Sequence, residues 1–204
     1  MRIAPAVLLL GWGIAVSAGF GVLLRYKATP AETGTPPPRW PSESRLPRSQ
    51  NQTATLVLFA HPHCPCTHAS MSELARLVTD APAFDVVVAL VRPAGVTEEW
   101  DDTELRRRAA AIPGATVVFD EDGAEAARFH AQTSGFAALY DRDGRLRFSG
   151  GLTSARGHEG DSFGRRRVLA VLSGQTPDRD DAPVFGCALG GAAHAASLES
   201  GGSN

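Results

Sequence analysis

The chain has 204 residues, a formal net charge of −2 and 21% charged side chains, enough for one domain with a buried core plus additional segments. Near-neutral charge and the lack of a basic block interleaved with aromatics argue against nucleic acid as a partner, and the short runs Arg106-Arg107-Arg108 and Arg165-Arg166-Arg167 read as solvated helix faces. Three cysteines are too few for a disulfide-stapled miniprotein.

Residues 3–24 hold no charged side chain and are dominated by Leu, Val, Ile, Phe, Trp and Gly. As a helix the run can cross a hydrocarbon core of roughly 30 Å. Residues 1–27 are therefore read as an N-terminal membrane anchor or a signal peptide. Val16-Ser17-Ala18 offers a small-residue cleavage site, but apolar residues continue beyond it through Leu24, which favours a retained anchor. Arg25 and Lys27 follow the span, and the positive-inside rule would put that side in the cytoplasm. The cysteine motif described below and the secretory look of the N-terminus argue for the opposite topology, with the soluble part facing the periplasm or exterior.

Residues 28–52, with Pro36-Pro37-Pro38 and Trp40-Pro41, read as an extended linker; from Arg45 onward an irregular edge of the domain also fits. The folded domain is expected over 53–174. Thr55–Ala60 is apolar on both faces, as central parallel strands are. A helix follows to about Asp80, its start marked by Ser70 and Glu73 placed like a capping box. Residues 84–91 form a second buried strand, which makes a parallel strand–helix–strand unit. Then come a helix over 97–111, a strand over 116–119, a turn at Asp120-Glu121-Asp122-Gly123 and a short helix over 124–131. Strands over 137–140 and 146–148 flank Asp141-Arg142-Asp143-Gly144, a hairpin signal. Residues 168–172 fit a closing helix, capped by Asp161 or Ser162. The tail, 175–204, contains the island Pro183-Val184-Phe185-Gly186-Cys187-Ala188-Leu189, too short for an element and too apolar for a free tail. It is expected to dock on the domain, with disorder beyond it.

The chemistry concentrates in His61-Pro62-His63-Cys64-Pro65-Cys66-Thr67-His68, where a buried strand turns into a helix N-terminus. The unpaired N–H groups and positive dipole end there favour an anion and lower a thiol pKa. A thiolate is the species that attacks disulfides. Cys64 is expected to be the low-pKa and more exposed sulfur. Protonated His61, His63 or His68 would assist it, and Pro65 restricts the turn between the sulfurs. A competing reading is metal: His61, His63, Cys64 and Cys66 would suit copper or zinc. A third is an interaction module that keeps only a structural disulfide. His158, in the polar loop before the last helix, is a more distant candidate.

The segment LVLFAHPHCPCTHASMSEL and the hairpin AALYDRDGRLRFSGG resemble the thioredoxin-like superfamily on its membrane-anchored, peroxiredoxin-like side, and look most like the bacterial group labelled RedB. The resemblance implies an α/β fold, a thioredoxin-like sheet flanked by helices and preceded by one transmembrane helix. It also implies thiol–disulfide exchange on protein substrates, without a cofactor. It puts Cys64 on the family's nucleophilic cysteine, the second cysteine position on Thr67, and Cys66 between them. Where the family carries a cis-proline facing the cysteines, this chain has Thr133-Ser134-Gly135-Phe136, with Gly135 at about that place. Cytochrome c maturation and copper-site assembly are client processes by analogy. Two arrangements follow for Cys187. Either Cys64 and Cys66 pair, with Cys187 a thiol near the site, or Cys187 reaches Cys64 as a distant resolving cysteine. The first is expected, because neighbouring cysteines meet without the entropic cost of ordering a tail.

Overall fold

The structure, a computed structural model, describes residues 3–49, 53–97, 100 and 102–190. The elements in chain order are α1 (Ile3–Ala28), β1 (Thr55–Ala60), α2 (Thr67–Asp80), β2 (Asp85–Arg92), α3 (Glu104–Ala110), β3 (Ala115–Glu121), α4 (Ala124–Arg128), β4 (Phe136–Tyr140), β5 (Leu146–Gly151), α5 (Phe163–Leu172) and β6 (Asp181–Ala182). The expectation of disorder over 191–204 lies outside the described residues.

One six-stranded sheet runs β3-β2-β1-β4-β5-β6. β1 pairs parallel with β2, and β2 parallel with β3; β4 is antiparallel to both β1 and β5. β1 thus sits at the centre, which explains why all six of its residues are buried. Its alternate side chains feed two cores. Leu56 and Leu58 face the layer that holds Met71 and Leu74 of α2, Leu105 of α3 and Val168 of α5. Val57 and Phe59 face the opposite layer, with Phe129, Phe136 and Tyr140. Full burial of each such side chain stabilises the fold by about 1.5–3 kcal/mol.

The second layer corrects one expectation. The segment 29–49 is not a free linker. Trp40 packs edge-on against Phe129 and Tyr140, with ring centroids 5.1 and 5.4 Å away, and Leu46 is buried. Its backbone pairs Trp40 N–H with Gly144 O at 2.8 Å and Leu146 N–H with Pro38 O at 2.9 Å. α4 is too short to cover this sheet face, so the proline-rich strap and the C-terminal island, through Val184 and Leu189, complete it.

One helix start also differs from expectation. α2 begins at Thr67, with Cys66 as its N-cap and no side-chain cap; Ser70 and Glu73 are not a capping box. The tight turn donates Thr67 N–H to Cys64 O at 3.2 Å, and the helix is already running by Ser70. Glu73, fully buried, instead accepts from Arg165 Nε at 2.8 Å, Arg76 Nη1 at 2.5 Å and Gly160 N–H at 2.7 Å. It joins α2 to α5 and to the loop before α5. α3 (Glu104–Ala110) supplies the later part of the helix expected over 97–111, with Thr103 Oγ1 accepting Arg106 N–H at 3.2 Å; the start of that expectation falls on residues 98, 99 and 101, outside the described residues. Ser162 caps α5 as expected, accepting Arg165 N–H at 3.4 Å.

α1 is 26 residues long, with Arg25 and Lys27 in its last turn, where cations complement the helix dipole. Its stretch Val7–Ala28 has a mean hydropathy of 2.2, is unburied, and is long and apolar enough to cross a membrane as an anchor or a signal sequence.

Candidate functional site

β1 ends at Ala60 and the chain closes two successive turns: Cys64 N–H donates to His61 O at 3.0 Å, and Thr67 N–H to Cys64 O at 3.2 Å. Opposite them, the segment leading into β4 carries Thr133, Ser134 and Gly135. Ser134 is fully buried and ties the two sides together. Its Oγ accepts His61 N–H at 2.8 Å and lies 2.6 Å from Thr67 Oγ1. Gly135 has φ +91°, and a Cβ there would lie 2.9 Å from Ser70 Oγ. The bend that presents Ser134 to the cysteine turn therefore needs a glycine. Among the described residues there is no cis peptide bond.

The structure brings Cys187 to Cys64, with their sulfurs 3.0 Å apart. A disulfide needs about 2.05 Å between sulfurs, so a small closure would join them. The C-terminal island arrives as an extended segment. Ser134 N–H donates to Cys187 O at 2.8 Å and Leu189 N–H to Gln132 O at 2.9 Å, and Thr133 and Ala188 form an antiparallel bridge. Of the two arrangements open at the sequence level, this geometry favours the distant cysteine.

The sulfurs differ in exposure and acidity. Cys64 is 1% exposed, so the expectation that it is the most accessible sulfur is wrong; the tail covers it, Cys66 is half-buried and Cys187 exposed. Hydrogen bonding lowers the Cys64 thiol to about 4, against its burial. The Cys187 thiol is the largest cause, and Thr67 and Ser134 add to it. Cys187 is raised, because it is the donor to the Cys64 thiolate and is partly desolvated. Cys66 is also raised, by burial and then by the negative charge on Cys64; the Arg156 guanidinium pulls the other way. One sulfur is thus poised as an anion, with a second held protonated beside it.

The remaining sequence candidates divide. Thr67 is within the site. His61 and His63 turn towards each other and towards Trp100: His61 Nδ1 accepts His63 N–H at 3.2 Å, and the His63 ring sits 4.7 Å from the Trp100 ring and 3.1 Å, through Nε2, from Trp100 O. Among the described residues, no three His, Cys, Asp or Glu side chains converge on a point that could hold a metal ion. His158 is exposed. Its neighbour Arg156 is the residue that matters in that loop. Its Nη1 donates to Gly186 O at 2.5 Å, and its guanidinium lies 4.9 Å from the Tyr26 ring at the end of α1. A cavity of about 470 Å³ lies beside it, lined by Pro65 and Cys66 on one side and by Leu23, Leu24 and Tyr26 of α1 on the other. Ser134 and Arg156 were missed from sequence. A hydroxyl in the segment opposite the cysteines was a usable signal for Ser134; nothing local marked Arg156.

No protein-family model matches the sequence, and no curated protein is similar to it at a significant level. Solved structures do match. One is an uncharacterised conserved protein from Geobacillus kaustophilus, 20% identical, covering 79% of this chain and 92% of its own, with a TM-score of 0.56. Another is a hypothetical protein from Sinorhizobium meliloti, 23% identical, covering 80% and 96%, with a TM-score of 0.57. The parallel β1–α2–β2 unit, the antiparallel β4–β5 hairpin beside it and the closing helix place the cysteine turn at the β1–α2 junction. The fold is thioredoxin-like. A thioredoxin-like protein solved in its oxidised form is also similar, 20% identical over 73% of this chain and 97% of its own, with a TM-score of 0.47.

Proposed function

We propose that the protein is a membrane-tethered thiol–disulfide oxidoreductase of the RedB-like kind, in which Cys64 attacks and Cys187 resolves. The observation that carries this reading is the Cys64–Cys187 pair itself, two free thiols with sulfurs 3.0 Å apart at a strand–helix junction, where hydrogen bonding lowers the Cys64 pKa. In the reducing direction, the Cys64 thiolate attacks one sulfur of a protein disulfide. The substrate S–S bond breaks, a Cys64–substrate mixed disulfide forms, and the other substrate sulfur leaves as a thiolate that takes up a proton. Cys187, deprotonated, then attacks Cys64 Sγ. The Cys64–Cys187 bond forms and the second substrate thiolate leaves. The substrate gains two electrons and the cysteine pair loses two; a dithiol reductant restores the pair. The same steps run backwards as an oxidase, the direction being set by the redox poise of the compartment.

Arg156 and Cys66 form the wall facing the end of α1. With α1 as a retained anchor in the periplasmic or exterior topology, this wall lies near the bilayer surface, where envelope proteins such as those of cytochrome c or copper-site maturation would be met. The test is exchange with a fluorescently labelled protein disulfide, using the full chain in detergent. Cys64→Ser should abolish turnover, Cys187→Ser should accumulate the mixed disulfide, and Cys66→Ser should retain turnover. Loss of turnover in Cys66→Ser with full activity in Cys187→Ser would contradict the assignment.

A further inference from the structure

We propose that the chain's own tail is a tethered pseudosubstrate on the edge formed by Gln132, Thr133 and Ser134, and that this edge selects extended client segments with glycine directly before the cysteine. This deepens the exchange reading and rests on it. The tail lies on the edge as a client would have to. It is extended, antiparallel, hydrogen-bonded through the main chain at Cys187 O and Leu189 N, and has a cysteine sulfur facing Cys64. Main-chain pairing of this kind accepts any sequence, and the side-chain sites between the bonds give the selectivity.

The most restrictive of those sites precedes the cysteine. A Cβ on Gly186 would fall 1.9 Å from Ser134 O and 3.2 Å from Thr133 Cγ2. Real contacts never come that close, so a segment seated in this register has glycine before its cysteine. The hold on the tail is shared. Ala31 N–H donates to Val184 O at 2.9 Å, Arg156 binds Gly186 O, and Phe185 and Leu189 are buried. Cys64 is sealed beneath it. Two segments cannot pair with one edge at once, so a client reaches Cys64 only when residues 186–189 lift away. The return of the tail brings Cys187 back to Cys64 and expels the reduced client from the edge. Docking and resolution are thus alternate occupancies of one surface.

The test uses a peptide of residues 181–190 whose cysteine is activated as a mixed disulfide with thionitrobenzoate, offered to the full chain carrying Cys66→Ser and Cys187→Ala. Attack by Cys64 forms a Cys64–peptide disulfide and releases coloured thionitrobenzoate, so the rate is read directly. A peptide with valine in place of the glycine should react at least tenfold more slowly than the native peptide on the same protein. Adding Gly186→Val to the protein, which bars its own tail from the edge, should speed the native peptide at least tenfold. Equal rates for the two peptides, with Cys64 reacting normally towards a small aromatic disulfide, overturn the docking proposal alone. A Cys64 inert even to the small disulfide overturns the exchange reading and this proposal with it. The peptide comparison is made on one protein, so it does not depend on how well the Gly186→Val chain folds.

Discussion

Replacing Cys187 by alanine removes the largest influence holding Cys64 as a thiolate. Hydrogen bonds to a charged partner are worth about 1.5–3 kcal/mol, and one pKa step corresponds to about 1.4 kcal/mol. The Cys64 thiol, held at about 4 in the wild type, should therefore rise by about one to two in Cys187→Ala. Thr67 and Ser134 still donate, so it should not return to the range of a free thiol. Opening the tail admits water, which favours the thiolate and works against this rise. Cys187→Ser separates the two effects, because the hydroxyl keeps a donor in place and should hold the pKa closer to the wild type. The sign in stability is fixed by the same comparison. A thiol whose folded pKa is depressed adds stability that is complete above its unfolded pKa of about 8.5 and is lost as pH falls towards about 4. The reduced wild type should lose more thermal stability across that window than Cys187→Ala does. The assay is a titration of thiolate ultraviolet absorbance in the reduced full chain, on a Cys66→Ser background. A Cys64 pKa that stays put or falls in Cys187→Ala would refute the argument that Cys187 is the donor.

Three further outcomes are expected. Glu73→Ala strips a buried carboxylate from Arg165, Arg76 and Gly160 N–H and should cost about 3 kcal/mol, the low end for a broken buried pair because Arg165 is 18% exposed. The melting temperature should then fall by about 6–12 °C; a change within about 1 °C would show that the cluster is not a joint between α2 and α5. Gly164→Ala puts a Cβ 1.9 Å from Gly151 O, so α5 must back away from β5, at a cost of about 1–3 kcal/mol; chemical denaturation with an unchanged midpoint would contradict the close approach. The full-length protein should stay with membranes after carbonate washing, as the unburied Val7–Ala28 span requires of a retained anchor; a soluble mature form starting near Gly19 would make α1 a cleaved signal instead.

The parts of the fold that could be read from the chain were those with one-dimensional signatures. Thr55–Ala60 is apolar at every position because β1 is central and feeds two cores. Asp141 and Gly144 encode the β4–β5 turn locally: Asp141 Oδ1 accepts Asp143 N–H at 3.0 Å and Gly144 takes φ +74°. What escaped depends on contacts between distant segments. The Pro-rich stretch 29–49 has few apolar side chains, yet Trp40 and Leu46 suffice to dock it where α4 leaves the sheet bare. Ser70 and Glu73 match a capping pattern, but the helix is already running by Ser70 and Glu73 is claimed by Arg165, Arg76 and Gly160. At the site, entropy favoured neighbouring cysteines over a flexible tail. That argument lacked the cost already met elsewhere, since Val184 and Leu189 are buried in the second core and bring Cys187 with them. The role of Arg156 arises from a crossing of the chain that no local pattern marks.

The most direct test of the account is peptide mapping of the oxidised full-length protein under non-reducing conditions, with free thiols alkylated first. A dominant peptide linking Cys64 to Cys187, with Cys66 alkylated, is the expected result. A dominant Cys64–Cys66 link, with Cys187 alkylated, would contradict the assignment of the tail cysteine as the partner of Cys64.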